Sequence, residues 1–424
     1  MKTFNKIAIQ NSTLQGTVKV SGAKNSVLRL MAATLLTNED VSISNYPASL
    51  LDAQVHKEML NELGKTTNVL GDTLIVSEQK KCKTTLDWDG RSIRNTLLIL
   101  GTLFTRFGYG AVPLPGGCSI GEKGSSRAYD IHITVLEAFG ASVSEVNGFL
   151  IAEKKYKGRT KACEVKLPMR STGATENAIL ISSLAEGTSR IWNPHVRPEI
   201  LDLISLLNSM GAEIIVHGQE HIEVRGKPYL RGATHEVIPD NVEALTWLVG
   251  SSITNGEVEI LDFPYEHLEI PLIYLRESGA KIYKHKNSMI VKGSRCFPLE
   301  LSTGPYPGIN SDMQPILAVY AAKAKGQSKF VDLRFPGRYA YAKELNKMGL
   351  NSFENGNMLV VNGGDALSAA EVKALDLRAG IALSLAGLIA DGTTLIDDAW
   401  QIGRGYDRFY EKMRSLGAKI EIIK

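Results

Sequence analysis

A chain of 424 residues, 44% hydrophobic and 22% charged, holds more apolar material than one ordinary domain buries, so two domains are expected. Its 48 basic and 45 acidic residues leave a formal net charge of +3, which excludes the global cationic field of a nucleic-acid or membrane-surface binder. The N-terminal stretch MKTFNKIAIQ has no signal-peptide core, and the longest apolar runs, TLLILGTLF and GIALSLAGLIA, are too short to span a bilayer, so a cytoplasmic protein without a membrane partner is expected.

Along the chain one helix-ending signature, Leu-x-x-x-Gly with Met for Leu in the last copy, closes six similar segments: LNELGK, LEAFGA, LNSMGA, LRESGA, LNKMGL and MRSLGA. The glycines, Gly64, Gly140, Gly211, Gly279, Gly349 and Gly417, are separated by 76, 71, 68, 70 and 68 residues. Each closes an amphipathic helix pattern, and upstream of each lies an apolar helix leading through a turn into a strand. AEGTSRIWN, TNGEVEIL, KGQSKFVDL and DGTTLIDD are four of those turns. The repeating unit is therefore an α+β module of about 70 residues. Solenoid repeats usually run about 20 to 50 residues, so a closed arrangement is expected instead.

The apolar helices open with comparable residues. In AKNSVLRLMAATLL, RNTLLILGTLF, RSTGATENAILISSL and DLRAGIALSLAG, the cations Lys24, Arg94, Arg170 and Arg378 stand at or just before the helix start. There the macrodipole disfavours a positive side chain by about 0.3 to 1 kcal/mol. An anion would reverse that cost, because free N–H groups and a basic side chain both bind phosphate or carboxylate. Asp312 opens the fifth helix in NSDMQPILAVY, where it reads either as an N-cap or as a general base facing the same anion. Asn241 replaces a charge in the fourth unit.

The cysteines Cys82, Cys118, Cys163 and Cys296 show neither metal-ligand spacing nor a disulfide framework. Cys118 differs from the other three, since VPLPGGCSIGEKGSSRAYDIH puts it in a glycine-rich loop with Lys123 and Arg127 nearby, cations that favour a thiolate. No metal-binding cluster or Walker-type loop is recognised, so neither metal nor cofactor is expected.

The loop LPGGC resembles the catalytic loop of the carboxyvinyltransferases, the enolpyruvyl transferases that use UDP-N-acetylglucosamine. VSGAKN, STGATEN, PYPG followed by SDMQ, ALDLRAG and GRGYDR occur in that family's order. The resemblance implies an inside-out αβ barrel architecture of two domains, each built from three of the repeats. Residues 1–21 and 238–424 would form one discontinuous domain, carrying the catalytic aspartate and arginines. Residues 22–237 would form the other, carrying the Cys118 loop, with the active site in the interdomain cleft. The substrates implied are phosphoenolpyruvate and a nucleotide-sugar, and nothing in the pattern fixes an oligomeric state.

By the same resemblance Cys118 is the acid that protonates C3 of phosphoenolpyruvate, Asp312 the base that takes the sugar hydroxyl proton, and Lys24 a third catalytic group. Lys24, Arg127, Arg378 and Arg404 would hold phosphoenolpyruvate. Asn25, Arg94, Asp130, Ile131, His132, Ser171, Thr172, Gly173, Asp312 and Arg338 would hold the nucleotide-sugar. For His132 a plain core histidine is the alternative. The chain departs from the family pattern by four additional residues behind the Cys118 loop, which leaves Lys123 as a rival to Arg127. Asn241 stands for an arginine, Arg197 for a glutamate and Pro336 for a polar residue. These changes border the sugar-nucleotide side, so a different nucleotide or nucleotide-sugar acceptor is the alternative reading, and a catalytically silent paralogue a more remote one.

Overall fold

In the computed structural model, residues 5–115 and 129–423 are described. They fall into two compact units, one of residues 22–115 and 129–238, the other of residues 5–21 and 239–423, each with its own hydrophobic core.

In the first unit the helices are α1 (Lys24–Ala33), α2 (Leu51–Glu62), α3 (Thr96–Phe107), α4 (Asp130–Ala138), α5 (Thr172–Ser182) and α6 (Pro198–Ser209). The second unit has α7 (Asn241–Ile253), α8 (Glu269–Glu277), α9 (Gln314–Lys323), α10 (Ala340–Lys347), α11 (Leu377–Gly387) and α12 (Phe409–Ser415). Odd and even helices differ in kind. All thirteen residues of α7 and all eleven of α11 are buried, the signature of a helix apolar on every side and enclosed by its neighbours. In contrast α10 buries only Tyr341, Ala342, Glu344 and Leu345, a stripe at helical spacing.

Each even helix ends at its expected glycine. Gly64, Gly140, Gly211, Gly279, Gly349 and Gly417 take φ of +100°, +86°, +98°, +95°, +90° and +87°, the left-handed conformation that turns the chain out of the helix and into a hairpin. Every unit then carries three small sheets around its odd helices, four-stranded except for one of three. This is the inside-out αβ arrangement, with helices inside and strands outside, repeated three times per unit.

Three strands pair far from their neighbours in sequence. Gln15–Lys19, just before α1, pairs in parallel with Glu257–Leu261 of the second unit's own repeat. Ala233–Glu236, just before α7, pairs in parallel with Val41–Ser44 of the first unit. Lys6–Gln10 lies between Thr393–Asp397 and Ile420–Ile423, antiparallel to both.

Candidate functional site

In the unit of residues 239–423 a carboxylate is held between two guanidinium groups. Arg338 Nη1 donates to Asp312 Oδ1 at 2.8 Å, and Arg378 Nη2 donates to Asp312 Oδ2 at 3.2 Å. Asp312 lies in the 3₁₀ turn Ser311–Met313 that leads into α9, and it is Asn310 whose side chain caps that turn, accepting from Asp312 N at 3.1 Å. The N-cap reading of Asp312 is thereby corrected, and its side chain points away from the helix axis toward the arginines. Buried Asp332 fixes the turn by accepting from Ser311 Oγ at 2.5 Å and Thr303 Oγ1 at 2.8 Å. Ser311 Oγ in turn accepts from Arg338 Nη1 at 2.9 Å.

Arg378 is the second residue of α11, whose N-cap Asp376 accepts from the N–H groups of Arg378 and Ala379. Its side chain is only 3% exposed. Burial opposes the guanidinium charge, but the Asp312 carboxylate outweighs it and raises the Arg378 pKa above the ordinary arginine value. For Arg338, burial likewise opposes and Asp312 with Asp376 wins, again raising it. Arg378 Nε and Nη1 are buried without a hydrogen-bond partner. A buried donor left so costs about 1 to 3 kcal/mol, which an anion at the start of α11 would recover. The Tyr406 ring packs under the guanidinium, its centroid 5.8 Å from the Arg378 guanidinium carbon. Arg404, also buried, donates to Gln401 Oε1 at 3.1 Å within the turn Ala399–Arg404.

In the unit of residues 22–238, Lys24 is the first residue of α1 and its Nζ lies 3.0 Å from Asp52 Oδ2 on α2. Asn25, half-buried, follows it. Arg94 precedes the N-cap of α3; burial lowers its pKa, opposed by the Asp130 carboxylate that opens α4. Half-buried Ile131 lies beside Asp130. Ser171 caps α5 by accepting from Ala174 N at 3.4 Å, and Thr172 Oγ1 is 2.8 Å from His195 Nδ1. His132 is buried, its Nδ1 3.3 Å from Asn177 Nδ2, and burial pushes its pKa down to about 3, with Arg94 and Arg29 adding to the effect. A Cβ at Gly173 would stand 2.8 Å from its Nε2, so this glycine lets α5 and the imidazole meet.

Cys118, Arg127 and its rival Lys123 lie outside the described residues. Among the described cysteines, burial raises the thiol pKa of Cys82 and Cys296 and pushes that of Cys163 up to about 11, so all three are thiols at neutral pH. Arg197 of the substituted positions forms a two-pronged pair with Glu199, Nε to Oε2 at 2.6 Å and Nη2 to Oε1 at 2.7 Å. Asn241 is the first residue of α7, behind the N-cap Asp240.

Sequence reasoning missed Asp52 and Asp332, which hold Lys24 and the Asp312 turn. Both are distant in sequence from what they hold, and no local pattern marks them. It also missed Gln314, a fully buried residue two positions after Asp312 whose amide N and O both lack partners. Its place in SDMQ was the available signal.

A family model described as EPSP synthase (3-phosphoshikimate 1-carboxyvinyltransferase) matches residues 9–413. Over 423 residues the chain is 38% identical to UDP-N-acetylglucosamine 1-carboxyvinyltransferase 1 of Caldanaerobacter subterraneus subsp. tengcongensis, covering 99% of each. It is 37% identical over 419 residues to UDP-N-acetylglucosamine 1-carboxyvinyltransferase of Sphingopyxis alaskensis, covering 97% of each. Among solved structures, an enolpyruvyl transferase of Streptomyces tendae superposes with a TM-score of 0.89 at 24% identity, over 99% of both chains. An EPSP synthase of Acinetobacter baumannii reaches 0.77 at 17% identity, over 99% of this chain and 100% of that one. At those identities the structural likeness concerns the fold. Among the described residues no helix is long and apolar enough to cross a membrane.

Proposed function

Since the chain belongs to the carboxyvinyltransferase family of EPSP synthase, we propose that it moves the enolpyruvyl group of phosphoenolpyruvate onto the 3-hydroxyl of UDP-N-acetylglucosamine and releases phosphate, the committed step of peptidoglycan precursor synthesis. The observation that supports this most directly is Arg378, a buried cation at a helix start with two unpartnered donor nitrogens, bonded to the carboxylate the reaction needs. It is suited to a phosphate or carboxylate.

In this reading the sugar hydroxyl oxygen attacks C2 of phosphoenolpyruvate, its proton passes to Asp312, and the Cys118 thiol gives a proton to C3. The C2–O bond to phosphate then breaks, phosphate leaves, and C3 returns a proton to the Cys118 thiolate to form the enolpyruvyl ether. Lys24, Arg127, Arg378 and Arg404 stabilise the charge on phosphate and carboxylate as it develops. Each Asp312 oxygen starts out engaged by a guanidinium. An incoming anion that draws Arg378 to itself loosens that hold and frees Asp312 Oδ2 to accept a proton, so binding of the first substrate prepares the base for the second. The remaining assigned residues, Asn25, Asp130, Ile131, His132, Ser171, Thr172, Gly173, Arg94 and Arg338, serve the nucleotide-sugar. Both substrates are cytoplasmic metabolites, and we assign the reaction to that compartment.

A second reading keeps the reaction and changes the acceptor to another nucleotide or nucleotide-sugar. It is favoured by the Arg197–Glu199 pair, which places a fixed cation where the family commonly has a glutamate. One assay separates the two: phosphate release from phosphoenolpyruvate with UDP-N-acetylglucosamine or with a panel of nucleotides, beside a Cys118→Ala control. Release with the amino sugar supports the first reading, and release only with another nucleotide the second. No release with any acceptor defeats both.

A further inference from the structure

The hairpin Glu213–His217 and His221–Arg225 carries chemistry that the transfer reaction does not use. In its register His217 pairs with His221, and Arg190 and Trp192 of the neighbouring strand pair with Glu223 and His221. Ile222 and Val224 are fully buried, so the alternation of the strand turns His221 and Glu223 to the opposite, outer face, where His217 joins them. The two imidazoles stack with centroids 4.3 Å apart and planes 13° from parallel. One ligand atom from each of His217, His221 and Glu223 lies within 4.8 Å of the others.

We propose that His217, His221 and Glu223 form a binding site for a borderline divalent d-block ion such as Zn²⁺, Ni²⁺ or Cu²⁺. Two imidazoles and one carboxylate are a donor set for that class, whereas Mg²⁺ and Ca²⁺ demand oxygen shells. Ligands bound at about 2.0 to 2.2 Å stand roughly 3.4 Å apart, so the three groups must close by about an ångström. His217 is exposed and free to swing by that much. The rest of the site is already ordered: His221 is tilted against Trp192 at 4.6 Å between centroids, and Glu223 accepts from Arg190 Nε through Oε2 at 3.2 Å, leaving Oε1 for the ion. Water completes the coordination. The site clips the two strands of the hairpin together and is independent of the reaction proposed above.

The sequence reading, which expected no metal, did not single out this group. His217 and His221 are four apart in sequence, and the antiparallel register of the tight hairpin brings them side by side with Glu223.

The test uses the full chain without a histidine tag, stripped by chelator. Zn²⁺ is titrated by calorimetry and Cu²⁺ by quenching of tryptophan emission, with Trp192→Phe to assign the signal to the ring beside His221. One equivalent is expected to bind, and His217→Asn and His221→Asn are each expected to weaken it at least about ten-fold while keeping the wild-type unfolding midpoint in chelator. Co²⁺ added to the wild type is expected to show no thiolate-to-metal charge-transfer band, which separates this site from the four cysteines. Absence of binding, affinities that both substitutions leave within about two-fold, or a thiolate band would overturn the assignment.

Discussion

Replacing Asp312 with asparagine removes a negative charge from between two guanidinium groups and tests the Asp312 assignment from two sides. Arg378, 3% exposed, and Arg338, 10% exposed, would be left close together with no carboxylate from Asp312. Removing one partner of a buried pair costs about 3 to 5 kcal/mol, and the lower end applies because Asp312 itself is partly exposed. A loss of about 3 kcal/mol corresponds to a drop of about 6 to 12 °C in melting temperature for a unit of about 200 residues. Inorganic phosphate should return more of that loss in the variant than it adds to the wild type, since it replaces the missing charge. Turnover, read by phosphate release, should fall about 10² to 10⁴-fold through loss of the base. A variant melting within about 2 °C of wild type, indifferent to phosphate, and turning over within about ten-fold would refute both the clamp and the base.

The unit of residues 22–238 should lose stability in mild acid. His56 and His132 are both held down at about 3 by burial, against about 6.5 unfolded, so between those values the unfolded chain binds more protons. Their contribution is complete above about pH 6.5 and shrinks as pH falls; from pH 7 to 5 the two together lose about 4 kcal/mol, and denaturant melts of wild type against a His56→Gln, His132→Gln variant should differ in slope, an equal slope counting against it. Gly101→Ala should destabilise the same unit by about 1 to 3 kcal/mol, because its Cβ would stand 1.8 Å from Asn177 Oδ1 between α3 and α5. An unchanged melting curve would show that the helices can part freely. Exhaustive chelation should leave phosphate release unaltered, and a loss restored by metal would place an ion in the reaction itself.

The repeats were legible because their marks are local. A glycine closing an amphipathic stripe needs only its own left-handed φ, and the cations Lys24, Arg94 and Arg378 stand at helix starts because the apolar run begins right after them. What holds those cations was not legible. Asp52 reaches Lys24 from another helix, Arg338 reaches Asp312 across 26 residues, and Asn310 takes the capping position that a sequence reading offered to Asp312. Each of these depends on packing between elements, which composition and spacing do not encode. The hairpin histidines were hidden for a related reason, since their adjacency is a property of register.

The exchange of strands between repeats has a consequence for the order in which the chain matures on the ribosome. The unit of residues 22–115 and 129–238 has both its described segments made before residue 239, and its last strand, Ala233–Glu236, docks on Val41–Ser44 as soon as it emerges. The other unit cannot finish that way. Its strand Lys6–Gln10 is made well before its partners and must wait for Thr393–Asp397 and Ile420–Ile423. Meanwhile Ile7 and Ile9, fully buried in the finished protein, lie on a strand with both edges open. Nascent chains stalled short of residue 393 should therefore contain one finished unit and one aggregation-prone leader, and a holdase that shelters the first twenty residues would raise the yield of the second unit far more than that of the first.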